Sequence, residues 1–274
     1  MRRARTERPE NFEVDLSHPL MRGAVLLGLG QAHHSIRYRD ESQYGNHGVL
    51  TNMAPVARWV WSTKLGRRIL GFDGINDRVM LPQSGTLLTN SPNYTVAFWS
   101  TLPMPLSGAW FSWDKATSWR CTFAYNGASV FWRTRTAGGG NTNDVTVTTL
   151  PASGLAHVAL VYRGTTKTAF VNGISETPQT SVVGPTGFSD ADFIAIGASG
   201  DFSGSTCSIG DWCFWQRALS AAEIMRLADP SNVMMSGAIR EPGLRRSFVG
   251  QVGGGAKPWL YAHRRSGQLI GASI

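Results

Sequence analysis

Apolar and β-branched residues run almost without a break from Ala156 to Arg163 and again from Lys167 to Val171, with Gly164-Thr165-Thr166 between them and Asn172-Gly173 after them. Short apolar runs bounded by turn residues predict strands. Asn-Gly predicts a tight reversal, because both residues tolerate positive φ. The same pattern predicts strands at 24–29, 49–51, 78–81, 94–99, 130–133, 145–148 and 193–196. One stretch changes period. The apolar and aromatic run Ile209–Trp215 passes into Ser220, with Glu223 three residues on, which is the spacing of a capping box. Leu219 and Ile224 stand at the positions of a hydrophobic staple, and Pro230 ends the helix after about two turns.

These motifs occur in a recognisable order: Asn46-His47-Gly48 before a strand, Phe72-Asp73-Gly74 before Arg78–Leu81 as an early hairpin, the strand at Tyr94–Trp99, the HVALVY…FVNG meander, and the capped helix after the last strand. Together they resemble the laminin-G-like, concanavalin-A-type lectin domains over residues 20–229. The resemblance implies an all-β jelly-roll sandwich with one short C-terminal closing helix.

Composition leaves room for one such sandwich. The chain has 274 residues, 42% of them hydrophobic, and its 31 glycines suit many tight turns. No stretch approaches the ~18 apolar residues of a membrane span, so no membrane partner is expected. Ala24–Leu29 follows Glu7, Glu10, Glu13 and Asp15, unlike the basic leader of a signal peptide, and is read as a strand. Three cysteines, Cys121, Cys207 and Cys213, cannot all pair within one chain and suit a reducing compartment as buried apolar residues. Of the formal +8 charge, seven fall within residues 1–10 and 240–274, leaving a nearly neutral body. The expected organisation is a basic arm over 1–19, the sandwich over 20–229, and a basic Gly/Pro-rich tail over 230–274.

Catalytic chemistry is hard to place. A retaining glycosidase needs two carboxyl groups about 5–5.5 Å apart, and the glutamates are scattered over arms, turns and the helix. There is no His-Glu-x-x-His, no paired Cys-x-x-Cys, and no Gly-x-Ser-x-Gly elbow. The expectation is no enzyme activity, no catalytic residues and no cofactor. Related lectin-like domains often bind calcium through loop aspartates, and Asp73, Asn76 and Asp77 form a candidate cluster for Ca²⁺. Ordinary turn chemistry is the preferred account of the same residues. Trp110, Trp113 and Trp119 lie in a polar stretch and are candidates for an aromatic glycan platform, or else fill the sandwich edge.

The segment 17–23 and the ending around Lys257–Ala262 look like laminin-G-like proteins of tailed bacteriophages. That resemblance implies a virion protein made in the host cytoplasm without a signal peptide: a capsid decoration or a head or tail appendage, in a homo-oligomer or symmetric array. Its arms would dock on other virion subunits through Arg2, Arg3, Arg5, Phe248, Trp259, Tyr261, Arg264 and Arg265. The alternative is a carbohydrate-binding adhesion module for host-surface glycans. Specific nucleic-acid binding ranks last, because only Trp259 and Tyr261 could stack on bases among the arm cations.

Overall fold

The computed structural model describes residues 13–29, 37–53, 58–87, 91–102, 107–115, 118–126, 130–134, 144–180, 193–197, 206–230 and 239–240. The predicted partner-docking residues Arg2, Arg3, Arg5, Phe248, Trp259, Tyr261, Arg264 and Arg265 lie outside them. In chain order the strands are β1 (Glu13–Val14), β2 (Ala24–Gly28), β3 (Arg37–Tyr38), β4 (Gly48–Thr51), β5 (Trp59–Ser62) and β6 (Arg67–Gly71). Next come β7 (Arg78–Leu81), β8 (Asn93–Leu102), β9 (Ser107–Lys115), β10 (Ser118–Asn126), β11 (Val130–Thr134) and β12 (Val145–Val147). The remainder are β13 (Gly154–Arg163), β14 (Thr166–Val171), β15 (Ile174–Ser175), β16 (Phe193–Ile196), β17 (Ser208–Trp215), the helix α1 (Ala221–Leu227) and β18 (Ile239–Arg240).

Two antiparallel sheets stack face to face. The first runs β12-β11-β10-β9-β16-β7-β4-β3, the second β15-β14-β13-β8-β17-β6-β5, with β2 also paired to β17. Side chains alternate across a strand, so Val158, Leu160 and Tyr162 of β13 enter the space between the sheets. Ala159 and Val161 point the other way, into a second cluster with Leu219, Ile224 and Leu227 around α1 and with Leu20 and Met21 of a short 3-10 helix. Because the second sheet is buried on both faces, its strands read as continuous apolar runs instead of alternating ones. Between the sheets the core is aromatic: Trp110 stacks on Phe123 at 4.6 Å and Tyr94 on Tyr162 at 5.2 Å, and Trp113 tilts against Phe214 at 5.3 Å. Such pairs add roughly 0.5–1.5 kcal/mol each beyond the area they bury.

The capping box forms as predicted. Ser220 Oγ accepts from Glu223 N at 3.3 Å, and Ser220 N donates to Glu223 Oε2 at 2.8 Å. Asn172 (φ 50°) and Gly173 (φ 84°) make the left-handed reversal between β14 and β15. Gly173 is required twice over, since a Cβ there would also stand 3.2 Å from Met225 Cα of the helix. The three cysteines are buried, and none forms a disulfide. Phe72–Asp77, read from sequence as part of a hairpin, instead carries the chain from β6 in the second sheet to β7 in the first. Residues 13–14 and 239–240, assigned from sequence to the arms, pair as a two-stranded ribbon, Glu13 opposite Arg240 and Val14 opposite Ile239, with Val14 packed against the α1 cluster.

Two polar features hold the frame. Asp40, 3% exposed, accepts from Leu27 N, Ser42 N, Ser42 Oγ and Asn46 N at 2.7–2.9 Å. Asn46 in turn donates to Val25 O at 2.7 Å and Thr86 Oγ1 at 3.0 Å. The Asn46-His47-Gly48 motif is therefore half of a network that ties β2 to β4. On β17, the edge opposite β8 is shared: β6 pairs at Ser208–Ile209 and β2 at Trp212–Trp215. Asp211 (φ 46°) bulges at the junction and is ion-paired with buried Arg67, whose Nε donates to Asp211 Oδ1 at 3.0 Å.

Replacing Asp40 with alanine is expected to cost about 3 kcal/mol, because several buried donors lose their acceptor; urea denaturation checks this. His157 is fully buried, neither ring nitrogen has a hydrogen-bond partner, and burial lowers its pKa from 6.5 to about 3. The unfolded chain therefore binds a proton that the folded one refuses. Stability present above pH 6.5 falls as the pH drops toward 3, by on the order of 4 kcal/mol from this group. Denaturation midpoints of His157→Gln should be flatter than wild type across that window.

Candidate functional site

Two of the three tryptophan candidates, Trp110 and Trp113, lie in the core, in line with the packing alternative and against the platform. Trp110 and Trp113 sit on β9, not in a polar loop, and both are fully buried in the inter-sheet cluster. Trp110 Nε1 donates to Ser100 Oγ at 2.6 Å and Trp113 Nε1 to Leu87 O at 3.2 Å, so their one polar atom is also consumed. No glycan can stack on either. The polar letters between them mislead because Ser112 lies on the opposite face of the same strand. Trp119 lies on β10, and its side chain is outside the described residues.

Among the described tryptophans, Trp61 alone is exposed, at 47%, with Val60 at 46%. Both belong to β5, the terminal strand of the second sheet. Trp61 stands opposite Arg68 of β6, whose Nη1 donates to Trp59 O at 3.0 Å, and Lys64 is exposed in the turn that follows β5. An exposed aromatic beside a cation can stack on a ring or hold an anion. Nothing in the residue string set Trp61 apart from Trp59, since both lie in one short strand. The distinguishing fact is register: Trp59 stands opposite core Leu70, and Trp61 opposite half-buried Arg68.

The acidic loop is occupied from within. Arg58 approaches Asp73 Oδ2 at 3.2 Å and Asp77 Oδ2 at 3.1 Å, bringing one guanidinium onto both carboxylates. Asp73 Oδ1 accepts from Ile75 N at 2.8 Å, and Asp77 Oδ2 accepts from Asp73 N at 2.9 Å. Asn76 offers its backbone carbonyl to Asn52 Nδ2 at 3.2 Å. The Ile75 N–H holds the Asp73 carboxyl below its usual range, while burial lifts that of Asp77. Unequal carboxylates can divide acid and base roles. Here Asp77 is fully buried and both groups face an arginine, so the arrangement does the work of a turn lock. No group of three or more His, Cys, Asp or Glu side chains able to hold a metal ion occurs among the described residues.

Other buried charges are likewise built into the frame. Glu176 accepts from Thr148 N, Thr149 N, Thr148 Oγ1 and Thr149 Oγ1 at 2.6–3.2 Å. Lys167 is buried with its ammonium 5.4 Å from the Trp132 ring centre, and burial lowers its pKa to about 8.

A two-sheet sandwich of this order, closed by a capped helix and lined with aromatics, defines the lectin-like class of jelly rolls. The chain belongs to the concanavalin A-like lectin/glucanases superfamily, whose laminin-G-type family model matches residues 73–225. No curated protein sequence matches it. Among solved structures, it is similar to the binding domain of Paraclostridial Mosquitocidal Protein 1, at TM-score 0.58 and 12% identity, over 76% of this chain and 52% of that one. The binding domain of botulinum neurotoxin DC, solved in complex with rat synaptotagmin II, gives TM-score 0.56 and 12% identity over 77% and 52%. A mutant Trypanosoma rangeli sialidase displaying trans-sialidase activity gives 0.57 and 14% over 82% of this chain but 36% of its own. The chain thus spans about half the length of the toxin domains it resembles, and the likeness is one of fold.

Removing the internal cation should expose the latent acidic pair. Arg58→Ala is expected to lose about 3 kcal/mol by leaving Asp77 buried and unpaired. Millimolar calcium should restore part of its melting temperature while leaving wild type unchanged, as read by differential scanning fluorimetry. Trp110→Ala should cost about 3–5 kcal/mol, against about 0.5 kcal/mol or less for Trp61→Ala, both measured by urea denaturation.

Proposed function

We propose that this chain is a non-enzymatic virion structural protein, a capsid decoration or a head or tail appendage. In this reading the sandwich is displayed, and the basic segments at either end dock on neighbouring subunits in a symmetric array. The observation that carries it is the division of labour in the charge. Buried carboxylates Asp40, Asp77, Asp211 and Glu176 are all engaged in holding the fold, and most of the net positive charge lies outside the sandwich. Among the described residues, these four buried acids are used internally, which disfavours acid–base catalysis by them. Basic and aromatic segments attached to a rigid module give contact area for assembly. The resemblance of the 17–23 and 257–262 segments to phage laminin-G-like proteins adds the virion context.

The test is incorporation. Deleting residues 241–274 should leave a folded sandwich that no longer joins the particle, as scored by immunogold labelling of purified virions. Trp259→Ala should weaken incorporation by about 2 kcal/mol if Trp259 anchors the contact. Turnover of a β-glucan or related polysaccharide that a single carboxylate-to-amide change abolishes would overturn the non-enzymatic half of the reading.

A second reading, adhesion to host glycans, is favoured by Trp61. The mosquitocidal and botulinum neighbours are described as binding domains, which agrees with a binding role for the fold. On a glycan array, signals that disappear in Trp61→Ala at unchanged melting temperature would support it.

A further inference from the structure

We infer that the helix-α1 end of the sandwich is a docking face for an acidic protein surface with an apolar centre, and that both basic segments of the chain issue beside it. The ribbon fixes the second half of this statement. Because β1 and β18 are antiparallel with Glu13 opposite Arg240, residue 12 and residue 241 leave the same end of the ribbon, where opposite Cα atoms lie about 5 Å apart. Val14 seats that ribbon against the cluster containing Leu20, Met21, Leu219, Ile224 and Leu227, which is the α1 face of the second sheet. Segments 1–12 and 241–274 carry nine cations against three glutamates, which is six of the chain's eight net charges.

The described surface around that place has matching chemistry. Met225 of α1 is 63% exposed and Ile174 of β15 is 69% exposed. They are neighbours in space, since Gly173 lies against Met225 and Ala228. Arg22, Arg163 and Arg226 are exposed around the same cluster. The acidic Glu223 on the helix is occupied, accepting from Arg217 Nη2 at 2.7 Å and from Ser220 N at 2.8 Å. Asp15 accepts from Ser17 Oγ at 2.6 Å. An apolar centre flanked by arginines, with Glu223 paired to Arg217, is the composition of a protein-recognition patch. The composition of the two segments is of the same kind: of their nine cations eight are arginine and one is lysine, and they also carry Phe12, Phe248, Trp259 and Tyr261. Arginine and aromatics are enriched, and lysine depleted, where proteins meet proteins. A phosphate backbone would gain nothing from Met225 and Ile174.

The inference rests on the docking reading above but is tested apart from it, with the isolated full-length chain. The probe is a synthetic peptide of alternating glutamate and leucine, compared with duplex DNA, with phosphatidylserine vesicles, and with the same peptide carrying lysine for glutamate. Wild type should bind the glutamate peptide at least tenfold more tightly than the lysine peptide and the other two ligands, with an affinity that falls as salt rises. The triple variant R22E/R163E/R226E should lose tenfold or more while its melting temperature stays within a few degrees. Met225→Ser, which leaves the charge unchanged, should lose affinity without changing the salt dependence, which a purely electrostatic contact would not show. Equal or tighter binding of DNA or vesicles would overturn the assignment, as would affinity indifferent to both variants. A chain that binds the peptide through this face yet is missing from virions would refute the particle reading and leave this one standing. Incorporation that survives the triple variant would do the reverse.

Discussion

The second sheet is referred throughout to β17, which pairs along its length with β8 and divides its other edge between β6 and β2. Two strands cannot share one edge unless the ladder is interrupted between them, and the interruption leaves backbone and side-chain polar groups in an apolar setting. Asp211 in its left-handed bulge and Arg67 across from it meet that need, since each supplies the other's counter-charge. A buried ion pair of this kind adds little net stability over a hydrophobic substitute. What it does is specify: a slip of β6 along β17 would leave two charges buried and alone. The point at which β6 gives way to β2 along the edge of β17 is marked by that one junction.

Much of this frame was legible in the residue string. The β13–β14 meander, the Asn172-Gly173 reversal and the Ser220/Glu223 box depend on contacts within a few residues, and local chemistry determines them. What escaped depends on partners far along the chain. Phe72–Asp77 looks like a hairpin turn because Asp-Gly is a turn signal, but which sheet receives the next strand is decided by packing, and β7 joins the opposite one. Trp110 and Trp113 looked like a polar-stretch platform because a period of two was broken. The register shift between β9 and β10 near Phe123–Ala124 accounts for this, since Trp110, Phe111 and Trp113 all reach the core. The ribbon β1–β18 joins residues more than two hundred apart, and no periodicity announces a strand two residues long.

The same division explains the candidate sites. Asp73, Asn76 and Asp77 were identifiable as a cluster from spacing alone, yet their role turns on Arg58, a residue outside the cluster whose approach only the fold determines. Conversely, Trp61 gave no sequence signal, because its exposure comes from a register that sets it opposite Arg68 and sets Trp59 opposite Leu70. Acids and aromatics carry their chemistry wherever they fall; whether it faces inward or outward is a property of topology.

The pairing of β1 with β18 has a mechanical consequence. Both ends of the described chain are gathered at two hydrogen-bonded positions, so tension applied through residues 12 and 241 pulls the ribbon apart crosswise, one rung after the other. Bonds loaded in this unzipping geometry fail singly and at low force, whereas the long strands β8 and β13 would have to shear many bonds at once. A tug on both segments would therefore be absorbed first by a two-residue fuse, leaving the sandwich itself unstressed until the fuse has opened.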